Sequence, residues 1–247
     1  MRQQVLFRDL GRMDYKDAWD LQEQLLRDNI EIKSVRSTSE QTGVPQDTGG
    51  TTHHLLFVEH PPVYTLGKSG DENNILLSPT ERASRGIEYY HTNRGGDITF
   101  HGPGQIVGYP ILDLEKFYTD IGRYLRELEE VIMLTLAEFG IEGGRSKGET
   151  GVWIEALQKG RERKICAMGV RCSRWITMHG FALNVNTDLD YFTGIIPCGI
   201  QNKKVTSISQ ELERSVDIED VKQKIRNNFS QVFDADIMMV DQNSLAR

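Results

Sequence analysis

Residues 94–114 read RGGDITFHGPGQIVGYPILDL, and this stretch decides how the chain folds. Five glycines fall within its first fifteen positions, interleaved with apolar residues such as Ile98, Phe100, Ile106 and Tyr109. The pattern predicts strands broken by tight turns, because glycine adopts backbone conformations that other residues avoid. Such turns also let the backbone approach a ligand closely, so the stretch is a candidate binding segment.

The sequence that follows continues the strand pattern. Residues 151–155 and 164–171 predict a hairpin around a charged turn at 158–163, and residues 176–186 alternate as a further strand. Residues 194–200 form a compact apolar loop that contains Cys198. Upstream, the apolar run 55–58, which ends at two prolines, predicts a buried strand.

Three segments predict helices. Residues 14–30 and 218–233 place apolar residues at helical spacing, and residues 118–140 do so most regularly, with Gly140 where a helix ends. The polar stretch 36–52 predicts a loop. Helices mixed with hairpins indicate an α+β fold, and we expect one catalytic domain over residues 1–247.

Composition excludes several classes of protein. The chain has 247 residues, three cysteines and a net charge of −7. No apolar run is long enough to span a membrane, and no Cys or His spacing is typical of a metal site. An odd number of cysteines and the absence of a leader pattern indicate a reducing compartment, most simply the cytoplasm. We expect no metal, no membrane association and no nucleic-acid partner.

Charge is distributed unevenly along the chain. Residues 159–204 carry eight basic residues and three acidic ones, in a protein that is acidic overall. A local basic face suits a specific acidic partner, although scattered solvated charges would give the same count.

Cys198, within Ile-Pro-Cys-Gly-Ile, is the first candidate for covalent chemistry. Pro197 restricts the backbone before the thiol, and Gly199 can leave a backbone N–H beside the sulfur. A nucleophilic cysteine needs its thiolate form and therefore a nearby cation or base. A buried, inert thiol is the alternative. Cys166 is a rival nucleophile, since strand alternation puts it on the same side as Lys164.

Three residues are candidates to activate this thiol. Lys164 begins the strand KICAMG, and partial burial at a strand edge would suit it to pair with a thiolate or to act as a base. The alternative is an exposed lysine that prevents another chain from pairing with the strand edge. His101 lies in the glycine-rich stretch and His179 lies within a strand, where either one can also be purely structural.

Taken together, the motifs resemble the lipoyl(octanoyl) transferase family. The matching segments are EHPPVYTLG (59–67), RGGDITFHGPGQIVGYPILDL (94–114), GVWI (151–154), RKICAMGVR (163–171), TMHGFALNVN (177–186) and IPCGI (196–200). They follow the family's order over about residues 5–215. Nucleotide-binding glycine loops and the Gly-x-Ser-x-Gly elbow do not occur in the glycine-rich stretch.

The resemblance implies a mixed sheet with flanking helices, as in the catalytic domain of biotin and lipoate protein ligases. It implies a thioester on Cys198, whose pKa is lowered by Lys164, with His179 in possible support and no cofactor. The substrate-binding residues that it implies are Arg94, Gly95, Gly96, Asp97, Ile98, Thr99, Phe100, His101, Ala167, Met168, Gly169, Gly180, Phe181 and Ala182.

The resemblance also implies partners. The donor would be octanoyl-acyl carrier protein, and the acceptors would be the lipoyl domains of 2-oxoacid dehydrogenase complexes and the glycine cleavage H protein. Both kinds of partner are typically acidic, so we expect a steering rim of basic side chains. The candidates for this rim are Arg161, Arg163, Arg171, Arg174, Lys203 and Lys204.

Three other functions fit the same residues. An ATP-dependent lipoate protein ligase shares the fold and needs no cysteine. An amidotransferase that moves octanoyl between two protein lysines would also use Cys198. A binding protein without catalytic activity would use only the basic face. The first differs by its need for ATP, the second by its donor, and the third by an inert Cys198.

Overall fold

The computed structural model describes residues 2–42, 49–197 and 204–240. The strands in these ranges are β1 (Gln3–Arg12), β2 (His53–Glu59), β3 (Val63–Leu66), β4 (Glu88–His91), β5 (Ile98–His101), β6 (Gln105–Ile111), β7 (Gly143–Gly144), β8 (Val152–Ile154), β9 (Arg163–Ser173), β10 (Ile176–Asn184), β11 (Lys204–Val205) and β12 (Ala235–Met239). The α-helices are α1 (Tyr15–Thr42), α2 (Pro79–Ser84), α3 (Ile121–Ala137), α4 (Ile208–Leu212) and α5 (Ile218–Val232).

Nine of the described strands form one mixed sheet, in the order β12-β1-β2-β6-β10-β9-β8-β7, with β11 added beside β9. Strand β1 is parallel to both of its neighbours, and β11 is parallel to β9. The remaining pairs, from β2 to β7, are antiparallel. The α+β fold class is therefore confirmed.

The two faces of this sheet bury different helices. On one face, apolar residues of α3 and α5 such as Leu128 and Phe229 pack with Phe57 and Leu183 of the strands. On the opposite face, α1 covers part of the sheet, where Ala18 packs with Tyr109 and other strand residues. This sandwich of helices around a sheet explains why β6 and β10 are buried along their whole lengths.

A second, three-stranded sheet has the order β4-β3-β5. Its apolar side chains form a separate cluster with the segment that precedes Cys198; the cluster includes Tyr64, Phe100 and Phe192. The first half of the glycine-rich stretch thus belongs to the small sheet as β5, while the second half belongs to the large sheet as β6. The turn between them joins the two sheets.

Most predicted elements are confirmed, and one is wrong. The hairpin, the strand after it and the helices near residues 121–137 and 218–232 form as predicted. The loop predicted over 36–52 does not begin at residue 36, because α1 continues to Thr42. No glycine or proline interrupts the sequence before Gly43, so the helix can continue through this polar segment, of which residues 36–38 are exposed. Residues 43–48 lie outside the described part of the chain.

Candidate active site

A cavity of about 690 Å³ lies where the large sheet meets the glycine-rich segment. Strands β6, β9 and β10 contribute its wall, and residues 94–99 lie across from β9, where the Gly95 N–H donates to the carbonyl of Val170 at 3.0 Å. Nearly all the substrate-binding residues that the resemblance implies line this one cavity; they are Arg94, Gly95, Gly96, Asp97, Ile98, Thr99, His101, Ala167, Met168, Gly169, Gly180, Phe181 and Ala182.

Phe100 is the exception among the described residues implied to bind substrate. Its ring stacks on Tyr191 with centroids 4.7 Å apart and belongs to the core of the small sheet. Strand alternation puts Phe100 on the face of β5 opposite Thr99 and His101; Ile98, on the same face as Phe100, belongs to the same apolar cluster. We therefore assign Phe100 a packing role.

Two glycines allow the walls of the cavity to approach each other. A Cβ atom on Gly169 would lie 2.7 Å from the Gly95 carbonyl oxygen, and one on Gly180 would lie 2.2 Å from the Gly108 carbonyl oxygen. Real Cβ atoms do not tolerate such contacts with backbone. These glycines are therefore required by close packing of the backbone around the cavity.

Lys164 is half-buried and lines the cavity. Its ammonium Nζ lies 4.6 Å from the ring centroid of Trp153, a buried residue that pairs with it across β8 and β9. The ring face attracts a cation, so this contact helps to position the ammonium group. A lysine beside a cavity, with its ammonium placed by a neighbour, suits acid–base chemistry.

Cys166 does not share the position of Lys164, and that expectation is wrong. A bulge in β9 opposite Val152 and Trp153 breaks the alternation between residues 164 and 166. Cys166 is fully buried in the core beside α3, and burial raises the pKa of its thiol far above the ordinary value. A thiol that stays protonated and is out of reach of solvent is not a nucleophile.

Cys198 lies outside the described residues, and so does Lys203. The residue that precedes Cys198 in the sequence, Pro197, lines the cavity, as does Val205 in β11. Of the described cysteines, Cys172 is half-buried and its thiol pKa is raised by burial. The assignment of the nucleophile therefore stays a prediction.

Two groups of residues that line the cavity, the open end and the closed end, differ in exposure. The open end, formed by Gly148, Glu149 and Lys164, includes the solvent-exposed Gly148. The closed end is formed by Tyr15, His101, Tyr109 and His179, each of which is at most 6 % exposed. His179 pairs with Val170 of β9. Val170 lies six positions after Lys164 on this strand, which corresponds to about 20 Å.

Hydrogen bonds fix the rings of the closed end. The Tyr109 hydroxyl donates to His60 Nε2 at 2.8 Å, while His60 Nδ1 donates to the Met13 carbonyl. His101 Nδ1 donates to Gln105 Oε1 at 2.8 Å. Burial lowers the pKa of His60 to about 4 and that of His101 well below its usual value, so both rings are neutral at pH 7.

Arg94 shapes the wall of the cavity. Its guanidinium is buried and donates to the carbonyl oxygens of Thr65, Gly95 and Asp97 at 2.5–3.0 Å. These bonds hold the glycine-rich segment in place against β3. The role that the resemblance implied was substrate contact, and the geometry adds a structural one.

Sequence reasoning missed several residues that line the cavity. They are Tyr15, Ser69, Gln105, Val107, Tyr109, Ile121, Leu125, Thr150 and Asn184. Gln105, Val107 and Tyr109 alternate along β6, a signal that was readable in the sequence once β6 was assigned. Tyr15 arrives from α1, and nothing in the local sequence indicates that contact.

Two members of the predicted basic rim, Arg163 and Arg171, are paired with carboxylates, and their role in steering a partner stays a prediction. Arg163 forms ion pairs with Glu155 and Glu211, and Arg171 pairs with Glu23. Arg174 lies in a different groove, beside Lys33 of α1. Arg161 pairs with Glu155 but stays largely exposed, and Lys204 is exposed. The positive potential at this surface is therefore weaker than the residue count predicts.

The described residues contain neither a membrane-spanning helix nor a cluster of metal ligands. Among residues 2–42, 49–197 and 204–240, no helix has the length and hydropathy to cross a membrane. The same ranges contain no group of three His, Cys, Asp or Glu side chains arranged to hold a metal ion.

The fold is shared with solved structures of lipoylating enzymes. A lipoate-protein ligase A bound with ATP superposes with a TM-score of 0.66 at 16 % identity, over 98 % of this chain and 90 % of that one. A second structure, from a structural analysis of a bipartite lipoate protein ligase of Thermoplasma acidophilum and its E2 lipoyl domain, gives a TM-score of 0.63 at 17 % identity, over 98 % of this chain and 88 % of that one. These similarities confirm the predicted fold.

Sequence comparison identifies the family. Residues 14–230 match the model of the lipoyl protein ligase A/B catalytic domain. An octanoyltransferase of Flavobacterium johnsoniae is 55 % identical over 96 % of this chain and all of its own length, and one of Flavobacterium psychrophilum is 56 % identical with the same coverage. The chain therefore belongs to the lipoyl protein ligase A/B catalytic domain family and, within it, to the octanoyltransferases.

Proposed function

We propose that this protein transfers an octanoyl or lipoyl group from acyl carrier protein to a lysine of a lipoyl domain, through a thioester on Cys198. The observation that carries this proposal is the composition of one cavity. Lys164 lines it together with the glycine-rich segment and Pro197, the residue before Cys198. The relatives at 55–56 % identity are octanoyltransferases, which supports octanoyl as the transferred group.

The proposed cycle balances its protons between two side chains. The Cys198 thiolate attacks the donor's thioester carbonyl, and the carrier thiol leaves with a proton from the Lys164 ammonium. The neutral Lys164 then takes a proton from the incoming lysine amine as that amine attacks the acyl-enzyme. Departure of the Cys198 thiolate completes the amide and restores the starting charges.

The energetics require no nucleotide. Exchange of one thioester for another is close to neutral in free energy, and conversion of a thioester to an amide is downhill. Each tetrahedral intermediate needs donors for its oxyanion, and a backbone N–H in such a position contributes about 3 kcal/mol. Gly96, exposed in the glycine-rich segment, is the candidate for such a donor, since the neighbouring Gly95 N–H already donates to the Val170 carbonyl.

The partners follow from the same proposal. The donor is octanoyl-acyl carrier protein, and the acceptors are lipoyl domains of 2-oxoacid dehydrogenase complexes and the glycine cleavage H protein. We propose that residues 1–247 form a single catalytic domain that acts in the cytoplasm. Arg161 and Lys204 are exposed members of the predicted basic rim that an acidic partner could contact.

The test is the intact mass of the protein after mixing with octanoyl-acyl carrier protein in the absence of ATP. We expect one octanoyl adduct that is released by hydroxylamine and does not form in Cys198→Ser. Cys172→Ser is the matched control and should acylate normally, because Cys172 lies outside the cavity.

Two outcomes would contradict the proposal. Octanoylation of a lipoyl domain by Cys198→Ser that requires ATP and free octanoate would indicate an adenylate-forming ligase. An unreactive wild-type protein that still binds the carrier would indicate a binding protein. An octanoylated lipoyl domain used as donor in place of the carrier distinguishes an amidotransferase, which would acylate from it faster.

A further inference from the structure

A carboxylate is fully buried on the apolar face of α3. Glu129 is 0 % exposed and lies one helical turn after Leu125, which lines the cavity. Burial of a carboxylate costs free energy unless charges and hydrogen bonds compensate it. An apolar side chain would pack at this position at a lower cost, so the contacts of the carboxylate indicate what it does there.

The two oxygens of this carboxylate bind different groups. Oε2 accepts from Arg126 at 2.6 Å and from Nε of Arg145 at 3.0 Å. Oε1 accepts the backbone N–H of Gly151 at 3.0 Å, in a buried hydrogen bond. Both arginine side chains are partly exposed, so the contact with Gly151 is the one that acts inside the protein.

These bonds hold both ends of the segment 145–151. Arg145 is bound to Glu129 at one end, and Gly151 is bound to the same carboxylate at the other. Between the two ends, residues 148–150 line the cavity. One buried side chain thus fixes a stretch of the cavity wall that α3 itself does not form.

Gly151 also borders the side chain of Lys164. Its φ of +120° and a Cβ position only 2.5 Å from the Cys166 carbonyl oxygen require a glycine here. The same Cβ position lies 3.6 Å from Cε of Lys164, so the backbone of Gly151 lies beside the end of the lysine stem. The ring of Trp153 lies beside the ammonium, with Nζ 4.6 Å from its centroid. Two residues of one short stretch therefore locate the lysine, and Glu129 fixes the first of them.

We propose that Glu129 is a positioning residue for the reaction, acting through Gly151 to keep the ammonium of Lys164 at the open end of the cavity. This inference rests on the proposed function, in which Lys164 transfers a proton in both half-reactions. Glu129 is fully buried and is not one of the described residues that line the cavity, so it does not touch the substrate. A catalytic group displaced by about 1 Å can lower a rate by about 10²-fold. Loss of the bond to Gly151 therefore slows the proton transfers and leaves carrier binding unchanged.

The test uses an isosteric variant, Glu129→Gln. Its single oxygen is shared between two guanidinium groups and the Gly151 N–H, and hydrogen bonds from charged donors are the stronger ones. The oxygen should stay with the arginines, and the amide NH2 should face Gly151 as a second donor.

The measurement is single-turnover acylation by octanoyl-acyl carrier protein over a range of carrier concentrations. The maximal rate constant should fall about tenfold. The carrier concentration that gives half of this rate should stay within about twofold of wild type, because ground-state binding is unchanged. A first-order rate constant does not depend on the fraction of protein that is folded.

A double-mutant cycle separates positioning from a general structural effect. In the Lys164→Ala background, Glu129→Gln should change the rate constant by less than about twofold, because the group that it positions is gone. A loss of the same size in both backgrounds would overturn the inference, since the two side chains would then act independently. A wild-type rate constant in Glu129→Gln would also overturn it.

Glu130→Gln is the matched control. Glu130 is the next residue of α3 and also pairs with Arg145, at 2.7 Å, but it is half-exposed, and the Gly151 N–H donates to Glu129 instead. We expect this variant to acylate at the wild-type rate. An equal loss in Glu130→Gln would assign the effect to the ion pairs of Arg145 and would overturn the inference.

Glu129→Met is the second variant, since it has no acceptor for Gly151 and fills a similar volume. It should show the same loss and the same dependence on Lys164, so either variant decides the test if the other does not fold. If no acyl-enzyme forms on the wild-type protein, the proposed function fails. If the wild type acylates and Lys164→Ala is slow, but Glu129→Gln lowers the rate by the same factor in both backgrounds, only this inference fails.

Discussion

The two ends of the cavity differ in the burial and charge of their titratable groups. At the closed end, histidine and tyrosine rings are buried and kept neutral, and their hydrogen bonds are made largely with neutral partners. At the open end, Lys164 is half-exposed, and the neighbouring Arg163 pairs with two carboxylates. The closed end is built to hold a chain without charge, and the open end is built to support charge during reaction.

The largest expected effect concerns the charge at the open end. Lys164→Ala should slow acyl-enzyme formation by about 10²–10⁴-fold, the usual contribution of general acid–base catalysis. The unfolding midpoint should change little, because Lys164 is half-exposed. Single-turnover acylation measured by rapid quench checks this.

Lys159→Ala is the control for this experiment, since Lys159 lies exposed in the turn before β9. It should acylate at the wild-type rate. A Lys164→Ala enzyme that acylates within threefold of wild type would remove the lysine from the proposed cycle and would leave the open end without its assigned chemistry.

The second prediction concerns the neutral histidines. Burial lowers the pKa values of His53, His54 and His60 to about 4 and that of His179 to about 3. Between these values and 6.5 the unfolded chain binds more protons than the native protein, so stability rises with pH and is lost as pH falls. Urea unfolding should show a loss of at least about 3 kcal/mol from pH 6.5 to 4.5.

Between pH 6.5 and 4.5 the histidines and the carboxylate Glu211 contribute differently to the pH dependence of stability. Glu211 at the open end is partly desolvated, but its hydrogen bonds from Arg163 and Thr206 lower its pKa, so its contribution is lost only at lower pH. His54→Leu should reduce the pH dependence between 6.5 and 4.5, because it removes one of the buried rings whose pKa is lowered. A flat stability profile over this range would show that the histidines are charged or solvated in the native state.

Local sequence patterns predicted the cavity because its walls are strands. The alternation in β10 and the glycines of residues 94–108 and 167–182 set both the sheet and the close backbone approach around the site. The pairing of Trp153 with Lys164 and the burial of Cys166 were not predictable in this way. They depend on a bulge in β9, and a one-residue irregularity reverses the expected facing of the side chains after it.

Contacts between segments distant in sequence explain the remaining errors. Tyr15 reaches the closed end from α1, and Glu211 reaches Arg163 from α4. Neither contact can be predicted from the local sequence, because each depends on how helices pack on the sheet. For the same reason the sequence did not predict the ion pairs of Arg163 and Arg171, whose partners lie 48 and 148 residues away along the chain.

The smallest expected effect distinguishes two arginines at the open end. Arg163 is largely buried between Glu155 and Glu211, whereas Arg161 is 68 % exposed and pairs only with Glu155 among the described residues. Arg163→Met should lower the free energy of unfolding by about 2 kcal/mol, because it leaves the partly buried Glu211 without its cation. Arg161→Met should change it by less than about 0.5 kcal/mol.

The same two variants test partner binding. If exposed charge captures the carrier, Arg161→Met should raise the KM for the carrier, and added salt should abolish the difference from wild type. The reverse pattern, with a stable Arg163→Met protein that has a raised carrier KM, would mean that Arg163 leaves its carboxylates to bind the partner.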